Sequence, residues 1–154
     1  MSSHTSRSTS ELSAAERAFY SRQLILPEMG YEAQLALKRA RVVVLGAGGL
    51  GAPALLYLAG AGVGQIVVVD DDVVDASNLH RQVIHTHARV GNSKADSAAE
   101  SLRSLNPFIE VVPVRERLTE ANVDDLLSGA DLVLDGSDNF ESRYMVSAAA
   151  ARAG

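Results

Sequence analysis

Cysteine is absent from all 154 residues. That excludes disulfides, a thiolate zinc cage and a cysteine nucleophile within this chain. An excess of positive charge is missing too: 14 Lys and Arg stand against 19 Asp and Glu, a formal net charge of −5. This balance argues against a surface built to hold nucleic acid. No apolar run is long enough to span a bilayer, and the polar, Ser/Thr-rich Met1–Ser10 lacks the apolar core of a signal peptide. A soluble cytoplasmic protein is expected, with residues 1–10 disordered. Internal repeats and interior low-complexity segments are also lacking. What is present is apolar: 47% of the residues, enough to bury the core of a single domain over residues 11–154.

The most informative stretch is Gly46-Ala47-Gly48-Gly49-Leu50-Gly51. Before it runs the β-branched segment Val42-Val43-Val44-Leu45. After it come a helix-like stretch from Ala52 to Ala61 and a second apolar strand, Gln65 to Val69, which ends on Asp70. Strand, glycine turn, helix, strand and acid form the layout of a nucleotide-binding βαβ unit. One glycine permits the tight turn, one lets backbone approach phosphate oxygens, and one lets helix and strand pack closely. The helix N-terminus offers free N–H groups and a positive dipole end to an anion. Asp70 stands where a carboxylate can hold ribose hydroxyls. Used only for packing, the same turn would be a small-residue corner and nothing more.

The rest of the chain continues the alternation. Ser13-Ala14-Ala15-Glu16 fits a capping box, opening a short helix to about Phe19. Pro27 and Gly30 break the chain, and Tyr31 to Arg39 reads as an amphipathic helix. A polar loop fills 71–92, and Ser93 caps a helix to about Ser104, ended by Asn106-Pro107. Ile109 to Val114 reads as a third strand, with Pro113 marking its end or a sheet edge. Glu120 to Leu127 reads as a short helix, Asp131 to Asp135 as a fourth strand, and Asn139 to Arg152 as a closing helix. The fold class is α/β, with a Rossmann-like, doubly wound, mostly parallel sheet. Ligands bind at the carboxyl ends of strands in such sheets. That rule gathers residues 46–51, 70–82, 92–94 and 135–139 into one place.

Arg81 and Lys94 follow Asp70 by 11 and 24 residues. Singly, each could be a solvated surface charge. Together at the strand ends they suit a triphosphate that loses pyrophosphate, because Arg grips phosphate oxygens bidentately and Lys supplies a point charge. Asp138 could ligate Mg²⁺, and Asp135 could do so with less reason, since it reads as the last strand residue. Alternatively Asp138 or Asn139 simply caps the closing helix. His80, His85 and His87 lie close together, but no cysteine or fixed helical face supports a metal site, so they read as surface histidines of a loop.

Tyr20-Ser21-Arg22-Gln23, the glycine turn, Asp70, Ser77-Asn78-Leu79-His80-Arg81-Gln82, Gly91-Asn92-Ser93-Lys94 and Ser137-Asp138-Asn139 occur in that order. In these six segments, from about Glu16 onward, the chain resembles the ThiF/MoeB/HesA family, relatives of the ubiquitin-activating enzymes. Its nearest members are the adenylyltransferase/sulfurtransferases. The resemblance implies an ATP-dependent adenylyltransferase that uses Mg²⁺. Its substrate would be a small ubiquitin-like sulfur-carrier protein ending in Gly-Gly, activated at its C-terminal carboxylate as an acyl-adenylate with release of pyrophosphate. Sulfur transfer then follows, in a molybdopterin or thiamine type of pathway. By similarity Gly46, Gly48, Gly49 and Gly51 contact the nucleotide and Asp70 holds the ribose. Asn78, Arg81 and Lys94 face the phosphates, Ser77, Leu79 and Asn139 are further cofactor-binding positions, and Asp138 binds Mg²⁺. Arg22 reaches the ATP of the partner subunit, which makes a homodimer the catalytic unit. No general base is required, because a carboxylate is already ionised at neutral pH.

Two departures stand out. Phe19 occupies a position where many members carry Arg before the Tyr. Family members also continue beyond the equivalent of Gly154, into further strands, the groove for the partner's tail, zinc cysteines and, in some, a sulfur-carrying cysteine. The resemblance therefore implies a nucleotide-binding part of the fold, expected to be weakly stable and poorly active by itself. Two readings from other classes stay open: an NAD-dependent oxidoreductase domain, and a non-catalytic module that docks a ubiquitin-like protein. A relative that activates a modified tRNA base is disfavoured by the acidic charge.

Overall fold

A computed structural model describes residues 11–154, so the expectation of disorder for residues 1–10 lies outside the described residues. Four apolar runs form strands β1 (Arg41–Leu45), β2 (Gln65–Val69), β3 (Glu110–Val114) and β4 (Leu132–Asp135). All pair in parallel, in the order β3-β2-β1-β4. The central pair β1 and β2 is almost wholly buried. Continuous Val/Ile runs are what such strands need, because both of their faces are covered.

Side chains of successive strand residues point to opposite faces, and two cores result. On one face Val42, Val44, Ile66, Val68 and Val111 pack against helices α4 (Gly51–Ala61) and α5 (Lys94–Leu105), through Leu55, Ala59, Ala98 and Leu102. On the other face Val43, Leu45, Val67 and Val69 meet Leu118, Val123 of helix α6 (Val123–Leu127) and Ala149 of helix α7 (Phe140–Ala153). The winding reverses between β1 and β4. That point opens a crevice at the carboxyl ends of the strands. The sheet is thus the doubly wound, parallel, Rossmann-like one expected, and Pro113 sits in an edge strand, where its missing N–H leaves no ladder bond unmade.

Helix α1 (Ala14–Phe19) opens on the expected capping box: Glu16 N–H donates to Ser13 Oγ at 3.1 Å and Ser13 N–H to Glu16 Oε2 at 2.7 Å. Helix α2 (Ser21–Leu24) follows it directly, a single turn that no sequence period announces. Helix α3 (Gly30–Arg39) starts one residue before the expected Tyr31. A buried polar cluster ties these helices to the end of α4. Asn106 Nδ2 donates to Tyr20 Oη and to the Ala59 carbonyl, both at 2.8 Å. Gln34 and Gln23 donate to the Ala61 carbonyl at 2.8 and 3.1 Å. Those carbonyls belong to a helix terminus, where the regular ladder ends and the C-cap Gly62 N–H reaches only Ala59 of the two, so the cluster adds the partners they would otherwise take from water.

Helix α6 begins at Val123 rather than Glu120. Asn122 is the physical reason: its Oδ1 accepts the Thr119 N–H at 2.8 Å while its Nδ2 donates to the Arg117 carbonyl at 3.0 Å. These bonds hold 117–122 in a turn that competes with helix.

Candidate functional site

The chain leaves β1 through Gly46, whose φ of +91° is open to glycine but strained for other residues. A Cβ built on Gly51 would overlap the Gly46 carbonyl, so the turn and the start of α4 close on each other without room for a side chain. Gly48 and Gly49 differ. Added Cβ atoms there would lie 3.5 Å from Gln82 Nε2 and 3.7 Å from Arg81 Cδ, ordinary contact distances. The protein's own packing does not demand glycine at either position; what their bareness leaves is backbone open to the crevice. The Gly48 and Gly49 N–H groups find no acceptor among the described residues.

Asp70 sits half-buried at the end of β2. Its Oδ2 accepts the Ala47 N–H and its Oδ1 the Asp72 N–H, both at 2.8 Å. The acid therefore braces the glycine turn, and each oxygen keeps a second lone pair. Lys94 is the first residue of α5 and is buried, with an exposure of 6%. Its N–H donates to the Asp72 carbonyl at 3.0 Å, and its Nζ lies 3.5 Å from Asp72 Oδ2. That carboxylate is itself largely exposed, so the ammonium is only weakly compensated. Arg81 is exposed, its guanidinium donating to Asn78 Oδ1 at 3.1 Å.

After β4, Asp135 Oδ1 accepts the Ser137 N–H at 2.9 Å, while Oδ2 is buried without a partner. Asn139, not Asp138, caps α7: its Oδ1 accepts the Glu141 N–H at 2.9 Å. Asp138 stays exposed with its carboxylate uncommitted to the helix.

A cavity of about 680 Å³ lies between these segments. Gly46, Gly48 and Gly49 wall one side, Asp70 to Asp72 and Lys94 another, and Arg81, Asp138 and Asn139 close it. Gly51 lies beneath the turn, outside the wall. Ser77, Asn78 and Leu79 lie outside the lining, Asn78 joined to it through Arg81 and through the Gln82 N–H, and Arg22 is exposed on α2, also outside the lining. The acidic run Asp70, Asp71 and Asp72 brings carboxylate oxygens within 4.8 Å of one another, and Asp138 adds a further exposed carboxylate to the same cavity. Carboxylates of this kind are the donors a hard divalent cation takes.

Two features of the wall and one residue bonded to the glycine turn were not read from the sequence. Gln82 is buried with Oε1 unpartnered. The segment Glu116 to Leu118 adds a fifth strand-end loop, after β3, which the carboxyl-end rule would have supplied. His85 corrects the expectation of three surface histidines. His80 and His87 are exposed, but His85 is 5% exposed and bonded at both ring nitrogens, because Ile84 and Gln82 carry its loop into the core. Burial holds its pKa below the ordinary histidine value, and the charge of Lys94 adds to that, against the opposing bond to Ala47.

The ThiF family sequence profile matches residues 20–154. The chain belongs to the ThiF family. It is 58% identical over 145 residues to the "Probable adenylyltransferase/sulfurtransferase MoeZ" of Mycobacterium tuberculosis, covering 94% of this chain and 37% of that protein. It is 53% identical over 138 residues to the SAMP-activating enzyme E1 of Haloferax volcanii, covering 90% of this chain and 51% of that one. The chain thus spans between about a quarter and about a half of the length of the curated relatives it matches. Among solved structures, Escherichia coli tRNA N6-threonylcarbamoyladenosine dehydratase in complex with ATP superposes with a TM-score of 0.86 at 30% identity, over 92% of this chain and 58% of the other. Escherichia coli MccB with MccA-N7isoASN gives 0.78 at 30% identity, over 88% of this chain and 41% of the other. No helix among the described residues is long and apolar enough to cross a membrane.

Proposed function

We propose that this ThiF-family chain is the ATP-binding part of an adenylyltransferase. Its second substrate is the C-terminal carboxylate of a small ubiquitin-like sulfur-carrier protein, which becomes an acyl-adenylate as pyrophosphate leaves. One observation carries the reading: a buried lysine at the start of α5 shares a cavity with a glycine turn whose Gly48 and Gly49 N–H groups have no acceptor among the described residues. A dinucleotide held for hydride transfer needs the turn and the acid but no such cation. A triphosphate that departs as pyrophosphate needs the charge. The names of the relatives, adenylyltransferase/sulfurtransferase and SAMP-activating enzyme, support the same class.

In this reading Asp70 takes the ribose hydroxyls, the Gly48 and Gly49 N–H groups meet a phosphate, and Lys94 and Arg81 neutralise the β- and γ-phosphates. Asp138 would hold Mg²⁺, which when bound draws charge from the phosphate oxygens. The carrier's carboxylate is already ionised, so the protein's task is alignment with the α-phosphorus and stabilisation of charge. Arg22, exposed and free of the cavity on its own subunit, serves the site of a homodimeric partner.

Lys94→Ala and Arg81→Ala test this. Each is expected to lower ATP affinity by about tenfold or more and to leave adenosine affinity nearly unchanged, because a lost charge-assisted bond to phosphate is worth roughly 1.5–3 kcal/mol. Titration calorimetry with ATP, adenosine and NAD reads the result. Equal losses for adenosine and ATP, or tighter binding of NAD than of ATP, would refute the reading.

A further inference from the structure

His85 joins the two elements that face the phosphates. Its Nε2 lies 2.8 Å from the Ala47 carbonyl oxygen and its Nδ1 lies 2.8 Å from Ser97 Oγ. A carbonyl oxygen only accepts, so Nε2 carries the proton and Nδ1 of the neutral ring accepts the Ser97 hydroxyl. Ala47 is thereby fixed at both backbone groups, its N–H on Asp70 and its carbonyl on His85. The Ala47 carbonyl and the Gly48 N–H belong to one planar peptide unit, and in a trans unit they point opposite ways. The described chain has no cis bond. Drawing the carbonyl down onto buried His85 therefore aims the Gly48 N–H away from it, on the side where Gly48 lines the cavity. Ser97 stands three residues after Lys94 on α5, one turn along the same side of the helix.

We infer that His85 is a positioning residue: by holding the Ala47 carbonyl it directs the Gly48 N–H at a phosphate oxygen, and through Ser97 it keys the glycine turn to the helix that carries Lys94. The inference rests on the reading above, in which phosphates meet the glycine turn. Lys94, Arg89 and Asp70 are the charged groups around the ring. The two cations favour the neutral form that this arrangement uses.

The test compares the protein with its His85→Leu, His85→Gln and Ser97→Ala variants, binding adenosine, AMP and ATP. His85→Leu leaves the Ala47 carbonyl buried and unpaired. It is expected to weaken ATP by about tenfold, AMP by less and adenosine hardly at all. His85→Gln keeps an N–H for the carbonyl and should recover most of the loss. Ser97→Ala should weaken ATP several-fold, with adenosine unchanged. A folded His85→Leu protein that binds ATP like the wild type overturns the inference alone. Failure of the wild type to bind ATP more tightly than adenosine overturns the functional reading and the inference with it. Side-chain ¹⁵N shifts of the unmodified protein decide the ring independently of any variant: an Nδ1–H tautomer of His85 overturns the assignment even if His85→Leu does not fold.

Discussion

Ala47 shows how little backbone the glycine turn needs to control: one N–H on Asp70 and one carbonyl on His85 orient the peptides that follow. Asp70→Ala removes the first. ATP affinity is expected to fall by about 1.5–3 kcal/mol, the range for a hydrogen-bonded charge, and calorimetry on the folded variant checks it. His85 also imposes a pH dependence. Its folded pKa lies below the ordinary histidine value of 6.5, so as pH falls the unfolded chain takes up the proton first. Stability is therefore complete above the ordinary histidine range and declines as pH drops through and below 6.5, and His85→Gln should remove that part of the slope. Urea unfolding at a series of pH values measures it. At this scale the sequence was legible where a rule ties a residue to a strand end. Asp70 and Lys94 were found that way. His85 was not, because a loop has no hydrophobic period from which burial can be read, and a histidine between a valine-isoleucine pair and Thr86 looks like any surface loop.

The elements were legible to the extent that local chemistry starts and stops them. Ser13 with Glu16, and Ser93, announce α1 and α5, and each side chain does accept the N–H three residues on. Helix α2 is one turn long, too short for any apolar stripe, and α6 starts late because Asn122 spends its amide on the preceding turn. At α7 the sequence left two candidate caps, and the geometry separates them. Asn139→Ala should lower stability by about 1 kcal/mol, the usual value of a lost N-cap, with Mg²⁺ dependence of pyrophosphate exchange intact. Asp138→Asn should do the reverse: an unchanged melting temperature and a weakened Mg²⁺ response. Thermal melts and exchange assays on both variants distinguish them, and a destabilised Asp138→Asn with normal exchange would return Asp138 to a structural role.

At the scale of the molecule, alternating strand and helix signals made the parallel, doubly wound class legible. They could not show that β4 pairs with β1, since nothing in an apolar run names its neighbour. The two sides of the sheet are unequal as a result. The inner faces of β1 and β2 are closed to solvent, whereas Leu132 of β4 is 49% exposed and Phe140 and Tyr144 of α7 are 75% and 78% exposed. Amide hydrogen exchange should therefore be slowest in Val43, Val44, Ile66 and Val68 and markedly faster in Leu132–Leu134, because local opening needs fewer buried contacts to be lost. Equal protection across the four strands would contradict that gradient. The pairing order also bears on how the chain assembles as it is made. The start of β1 reaches β2 across 24 residues, at Arg41 and Gln65, but reaches the β4 side across 90, at Arg41 and Asp131. Closing the longer loop carries an entropy penalty larger by about 1 kcal/mol. The glycine turn and Asp70 can thus meet while the ribosome is still synthesising α5, whereas Asp138 joins them only after β4 has been made and has paired with β1. The two halves of the crevice have different birth times, and the second to arrive is the one that closes it.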